Sequence, residues 1–211
     1  MMKIISTEFY LIEYQAGELG CPVFLAGDEN ADWEWDIYDP YPWKYTITKS
    51  YEFRSTDDDL RELELDYAGS PCSFVSEEFL KVCDTLGAAY RSVPVTVYMA
   101  DGSKARKKYY YFLSAQWASL VDDQESTYAI ERNLAGDSAE HKYYGGIKNY
   151  AWISNLVVKK DIDLDFFWCA EFMRHTCSKR FVEMAMIASL KGLKFIPLNS
   201  YFKYDPWGDL A

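Results

Sequence analysis

The fold is decided by Phe74-Val75-Ser76-Glu77-Glu78-Phe79-Leu80-Lys81-Val82-Cys83-Asp84-Thr85-Leu86-Gly87 and, after four intervening residues, Ser92-Val93-Pro94-Val95-Thr96-Val97-Tyr98-Met99. Ser76 is placed to cap a helix, because its hydroxyl can accept one of the first free backbone N–H groups. Glu77 and Glu78 then sit where the helix dipole favours negative charge. Phe79, Leu80, Cys83 and Leu86 recur at helical spacing, and Gly87 supplies the exit. Val93, Val95, Val97 and Met99 alternate as a strand does. The unit is therefore strand, helix, strand.

Working toward the C-terminus, Asp101-Gly102 predicts a two-residue type I′ hairpin turn, with residues 104–113 as the returning strand. Residues 121–123 and 136–138 read as turns, and 152–158 and 164–172 as strands. Residues 178–190 form a second helix carrying Phe181, Val182, Ala185, Met186 and Leu190, closed by Gly192. Phe195-Ile196-Pro197-Leu198 is a last short strand. Ser178-Lys179-Arg180-Phe181-Val182 echoes Ser76-Glu77-Glu78-Phe79-Leu80, 102 residues on, and Pro197 echoes Pro94 at 103. Either the unit is duplicated, or any capped helix before a strand would look so.

Toward the N-terminus the chain reads as β. Residues 9–14 are apolar on both faces, and Pro22-Val23-Phe24-Leu25 is a short strand candidate. Asp32-Trp33-Glu34-Trp35-Asp36-Ile37-Tyr38-Asp39 alternates acids with apolar residues, as a strand with Trp33, Trp35 and Ile37 on one face would. Pro40-Tyr41-Pro42-Trp43 interrupts it. Residues 46–53 resume extended structure, Asp57-Asp58-Asp59 is a charged turn, and Leu63, Leu65 and Tyr67 mark a half-buried strand. With Gly69-Ser70-Pro71 as a break, an acidic β-rich subdomain over residues 1–68 precedes an α+β domain over 69–211. The expected class is α+β, with mostly antiparallel strands, two main helices (about 76–86 and 178–190) and two strand–helix–strand units that a duplication would relate.

The chain has 211 residues and a formal net charge of −11. Residues 1–66 hold 16 acids against 5 bases, and residues 67–211 hold 17 of each. The whole imbalance sits in the N-terminal third. It argues against nucleic acid, which needs a basic face, and against acidic lipid surfaces. No apolar run approaches the ~20 residues that span a bilayer. Glu8 and Glu13 interrupt any leader-like apolar core, and five scattered cysteines form no C-x-x-C pair, so a cytoplasmic location is expected.

Catalytic constellations are sparse. His141 and His175 are the only histidines, and nucleophile elbows, zinc-protease helices and phosphate loops are missing. His141 reads as a solvated loop residue. Cys169, Glu171, His175 and Cys177 match no standard ligand spacing, so no metal and no cofactor is expected. Asp161, Asp163 and Asp165 form a D-x-D-x-D run that a metal-dependent transferase could use. The alternative is a connection with its acids in water and Ile162 and Leu164 in the core. The Trp-rich segment 33–43 would suit a carbohydrate-binding module, or a surface for a protein partner.

A resemblance favours the protein partner. Phe74-Val75-Ser76-Glu77-Glu78-Phe79-Leu80, Ser92-Val93-Pro94-Val95, Tyr109-Tyr110-Tyr111-Phe112-Leu113, Leu120-Val121-Asp122-Asp123-Gln124-Glu125-Ser126, Ile153-Ser154-Asn155-Leu156-Val157-Val158, Asp165-Phe166-Phe167, Phe181-Val182 and Gly192-Leu193-Lys194-Phe195-Ile196-Pro197 follow in that order. Together they resemble a bacterial domain-of-unknown-function family grouped with the immunity proteins of polymorphic toxin systems. The likeness runs over residues 74–198, about 60% of the chain. It departs where the family has an arginine after its Ile-Phe strand; the nearest base here is Arg174. The resemblance implies a non-catalytic protein, without cofactor, that binds and neutralises a cognate toxin. An acidic face suits a toxin with a basic surface, since opposite charge speeds and specifies association. The expected contact residues are Asp28, Glu29, Asp32, Trp33, Glu34, Trp35, Asp36, Asp39, Asp57, Asp58 and Asp59, with the two tryptophans as anchors unless they are core. Nothing in the sequence fixes the oligomeric state.

Overall fold

The computed structural model describes residues 8–30, 32–69, 73–132, 134–139 and 141–208. The Ser70-Pro71 break and Cys72 lie outside them. In chain order the described elements are β1 (Phe9–Tyr14), β2 (Gly27–Glu29), β3 (Tyr51–Ser55), β4 (Tyr67–Ala68), β5 (Ser73–Ser76), α1 (Glu77–Thr85), β6 (Tyr90–Tyr98), β7 (Tyr109–Ser114), β8 (Trp117–Ala118), β9 (Thr127–Ile130), β10 (Tyr150–Asn155), β11 (Phe166–Cys169), β12 (Arg174–Ser178), α2 (Lys179–Ile187) and β13 (Leu193–Pro197). One sheet runs β2-β3-β6-β7-β5-β4, a second β13-β1-β12-β11-β8, and β9 pairs with β10 alone. The β3–β6 and β8–β11 pairs are parallel and the other strand pairs antiparallel. The class is mixed α+β, weighted toward β.

Both helices start as their sequences dictate. The Ser76 hydroxyl accepts from Phe79 N at 3.1 Å and donates to Asp66 at 2.6 Å. The Ser178 hydroxyl accepts from Phe181 N at 3.2 Å and donates to Asp165 at 2.5 Å. α2 ends near Ala188, sooner than Leu190, because Ser189 takes the left-handed turn (φ 53°) that Gly87 takes after α1 (φ 69°).

The echo extends well beyond the helices. Tyr110 of β7 lies opposite Val75 and Pro94, and Tyr10 of β1 lies opposite Cys177 and Pro197. Glu77 N donates to Lys108 O, and Lys179 N to Glu8 O, both at 3.0 Å. Strands β4-β5-β7-β6 thus correspond register for register to β11-β12-β1-β13. The slot that β7 fills in the first unit is filled in the second by β1, from the start of the chain. The sequence repeats accordingly at 99 residues: Leu63-Glu64-Leu65-Asp66-Tyr67 with Ile162-Asp163-Leu164-Asp165-Phe166, and Lys49-Ser50-Tyr51 with Lys148-Asn149-Tyr150.

The two units meet at the helices. Phe79 of α1 lies 5.6 Å from Phe181 of α2, 5.9 Å from Phe112 and 5.5 Å from Phe166. Ser73 and His175 occupy equivalent positions and contact each other at this junction. Each sheet's outer face is covered by the segment preceding its edge hairpin. Trp35, Leu63 and Leu65 cover Tyr109 and Tyr111, and Leu120, Ile153 and Leu156 cover Phe9, Leu11 and Phe167. Burying large apolar side chains this way supplies the main stabilisation, roughly 1.5–3 kcal/mol each.

Several sequence expectations need correcting. The 1–68 segment is no separate subdomain, because β1 and β3 are hydrogen-bonded into the two sheets and β4 pairs with β5 across the expected boundary. Residues 22–25 are irregular, with a bend at Val23 and Phe24, and the strand lies at Gly27–Glu29. Gly27 permits it, since a Cβ there would sit 2.4 Å from Arg54 O. Residues 32–39 form turns instead of a strand: Asp36 accepts from Tyr38 N at 3.0 Å and Asp39 from Tyr41 N at 2.8 Å, local bonds that compete with a ladder. The Asp101-Gly102 turn closes through Gly102 N to Met99 O with positive φ at Gly102 alone, so it is not type I′. The returning strand begins at Tyr109. Before it, Arg106 reaches Glu62 and Glu64, and Lys107 reaches Asp66.

Candidate functional site

β2 is the outermost strand of the six-stranded sheet, and its three residues are all exposed. Its register on β3 sets Asp28 opposite Arg54 and Glu29 opposite Phe53. Thr56 N donates to Ala26 O at 3.1 Å, which brings the Asp57-Asp58-Asp59 turn to the same end of this edge. Asp32 is exposed at the other end, beyond Asn30, whose side chain bonds Ser50 O and Glu52 N. Asp28, Glu29, Asp32, Asp58 and Asp59 thus lie along one acidic border. None of their carboxylates is in an ion pair among the described residues.

The remaining expected contact residues serve the fold as well. Trp35 is core, 6% exposed, packed on Tyr51 and Tyr111 at 5.2 and 5.8 Å. Trp33 is half-buried against it, 6.2 Å away. Trp35 is therefore no surface anchor. Glu34 accepts from Lys49 N and from the backbone and hydroxyl of Thr48, bonds that hold its carboxyl below the usual range. For Asp39, partial burial pushes upward, but Lys44, Tyr41 N and the Tyr45 hydroxyl together bring it below the ordinary value. Asp36 and Asp57 cap turns.

The acidic border adjoins a cleft of about 690 Å³ that sequence reasoning missed. Glu29, Trp33, Phe53, Phe74 and Tyr111 line it from one unit, and Glu13, Trp168, Arg174 and His175 from the strands of the other. Val23 and Phe24 stand on its lining, 87% and 77% exposed. Glu13 is paired with Arg174 at 2.6 Å, and Glu29 accepts from the Tyr111 hydroxyl at 2.8 Å. The indole N–H groups of Trp33 and Trp168 are buried with no acceptor among the described residues. His175 Nδ1 lies 3.2 Å from both the Tyr67 and Ser73 oxygens. Its burial pulls its pKa down to about 3, so the ring is neutral at physiological pH.

The rival sites are placed differently. Asp165 is taken up by Ser178 and by Arg180 at 3.0 Å, and Asp161 and Asp163 are exposed counterparts of Glu62 and Glu64 in the repeat. Among the described residues no group of three or more His, Cys, Asp or Glu is arranged to hold a metal ion. Cys169 donates to Glu171 at 3.2 Å, and Glu171 also takes the Ser119 hydroxyl and Val121 N. His141 is no solvated loop residue: its half-buried Nδ1 accepts from Tyr143 N and Tyr144 N. Trp43 is 67% exposed while Trp35 is core, so the tryptophans of 33–43 form no common platform. No described helix is long and apolar enough to cross a membrane. Neither a protein-family model nor a curated protein matches the chain, so the reading of this site rests on its own geometry.

Proposed function

We propose that this protein is an immunity-type binder that neutralises a cognate bacterial toxin by direct contact, without catalysis or cofactor. The observation that carries the reading is the exposed acidic border along β2, with Asp28, Glu29, Asp32, Asp58 and Asp59 outside any ion pair among the described residues. Beside the β4–β5 hairpin, by contrast, acids are met by bases. Glu62, Glu64, Asp66 and Glu77 are met by Arg106, Lys107 and Lys108. Carboxylates left open on a sheet edge raise the association rate with a basic partner and repel acidic ones. An unpaired edge also offers backbone donors and acceptors to another chain. The proposal places the protein in the cytoplasm, where it would meet an incoming toxin.

The test uses a candidate toxin sought among the products of neighbouring genes. Asp28→Lys, Asp32→Lys and Asp59→Lys together should slow association about tenfold or more at low salt and flatten its salt dependence. Unchanged affinity and salt dependence would remove the acidic border from the interface. Failure of wild-type protein to co-purify with that toxin would overturn the reading itself.

A further inference from the structure

We infer that the cleft behind β2 is a receptor for one basic side chain, lysine or arginine, presented by the protein partner. The inference rests on the reading above only in taking that side chain to belong to the toxin.

The internal repeat provides a built-in comparison. Ile12, Glu13 and Tyr14 are the register equivalents of Phe112, Leu113 and Ser114, and His175 is the equivalent of Ser73. These matching positions line two spaces on either side of the unit junction. One is all but filled, with about 30 Å³ left. Trp117 and Tyr144 pack there with rings 4.9 Å apart, beside the turn at residues 36–40. The other stays open at about 690 Å³, a size at which clefts bind ligands. Among the described residues the same scaffold thus plugs one space and leaves its counterpart open.

The chemistry of the open space selects a cation. Its walls are aromatic, with Trp33 edge-to-face on Tyr111 at 5.9 Å and Phe53 by Phe74 at 6.3 Å. Aromatic faces attract ammonium and guanidinium groups, more strongly once water is excluded. Of the lining carboxylates, Glu13 is already satisfied by Arg174. Glu29 accepts from the neutral Tyr111 hydroxyl and lies in no ion pair among the described residues. An anion would meet Glu29 and the acidic border unfavourably. The long alkyl stem of a lysine or arginine suits the apolar wall while its head reaches Glu29.

The probes are N-acetyl-arginine amide and N-acetyl-lysine amide, with N-acetyl-norleucine amide as the uncharged control. They are titrated into the full-length protein while the indole N–H signals of Trp33 and Trp168 are followed by NMR, assigned through single Trp→Phe variants. The cationic amides should shift both signals saturably in the millimolar range, and Glu29→Gln should weaken this at least fivefold. Glu29 is exposed on an edge strand, so that variant keeps the fold, which the remaining indole signals verify. No saturable shift, an equal response to norleucine amide, or indifference to Glu29→Gln would overturn the inference. Cationic amides that bind normally in a protein that captures no toxin would leave the cleft chemistry standing and bring down the toxin reading alone.

Discussion

At the scale of the residue, His175 shows how the junction between the units converts burial into pH dependence. It is 2% exposed among Phe112, Phe166 and Trp168, and its Nδ1 meets two hydroxyls. Loss of hydration lowers its folded pKa to about 3, against about 6.5 in an unfolded chain. Between those values the unfolded state carries the extra proton, so this group's stability is complete above about pH 6.5 and declines as pH falls. The decline is about 1.4 kcal/mol per pH unit, or about 2 kcal/mol at pH 5. The carboxylates held low, Glu34, Asp39 and Glu64, lose their contribution only below their unfolded values near pH 4, so this window belongs to histidine. His141, also lowered by burial, acts in the same direction but is common to both proteins compared. Urea unfolding at pH 7 and pH 5 should therefore show about 2 kcal/mol more acid loss in the wild type than in His175→Gln. Equal losses would place the ring in contact with water.

At the scale of the element, the two helices share one starting device, and it is stronger than an ordinary cap. Each serine accepts from the third residue of its helix and donates to the aspartate just before a neighbouring strand, Asp66 before β4 and Asp165 before β11. Asp66 is 1% exposed and also holds Lys107 and Lys191 N, whereas Asp165 has Arg180 on the surface. Ser76→Ala should cost about 2 kcal/mol, at the upper end for a cap, because it also strips a buried carboxylate of a donor. Ser178→Ala should cost about 1 kcal/mol; thermal or urea melts of both give the comparison, and reversed costs would refute the burial argument. These starts were legible because capping is local chemistry, written within four residues. β12 was not legible: Arg174, His175, Thr176 and Ser178 show no apolar alternation, yet His175, Thr176 and Ser178 are buried where the units meet. The acid–aromatic run at 32–39 misled in the opposite sense, since its aspartates bond their own backbone. The acidic border could be read from charge alone. The cleft could not, being assembled from strands of both units and a loop between them.

At the scale of the whole molecule, the repeat explains why the first and last thirds of the chain are inseparable. β1 lies between β12 and β13 in the second sheet, in the place β7 holds between β5 and β6 in the first. β7 arrives there by a hairpin from β6; among the described residues no hairpin follows β13, and β1 fills the place. The end of β13 is already beside the start of β1, with Leu198 N donating to Phe9 O at 2.8 Å. The chain order is therefore one of two that satisfy the same sheet. A circular permutant opened at Glu18-Leu19, where Leu19 is 90% exposed, and carrying residues 8–18 on a flexible linker after the C-terminal segment, keeps every strand pairing. It should unfold cooperatively with a stability within about 2 kcal/mol of the parent, since only loop closure changes. Simple deletion of residues 8–18 should not, because it uncovers Cys177 and Phe195 on either side of an empty strand position. Urea unfolding of the two chains decides the matter. If the deleted chain unfolds cooperatively at the parent's midpoint, β1 is dispensable to the second unit; if the permutant fails as the deletion does, β1 is needed for its place in the order of folding and not only for its place in the sheet.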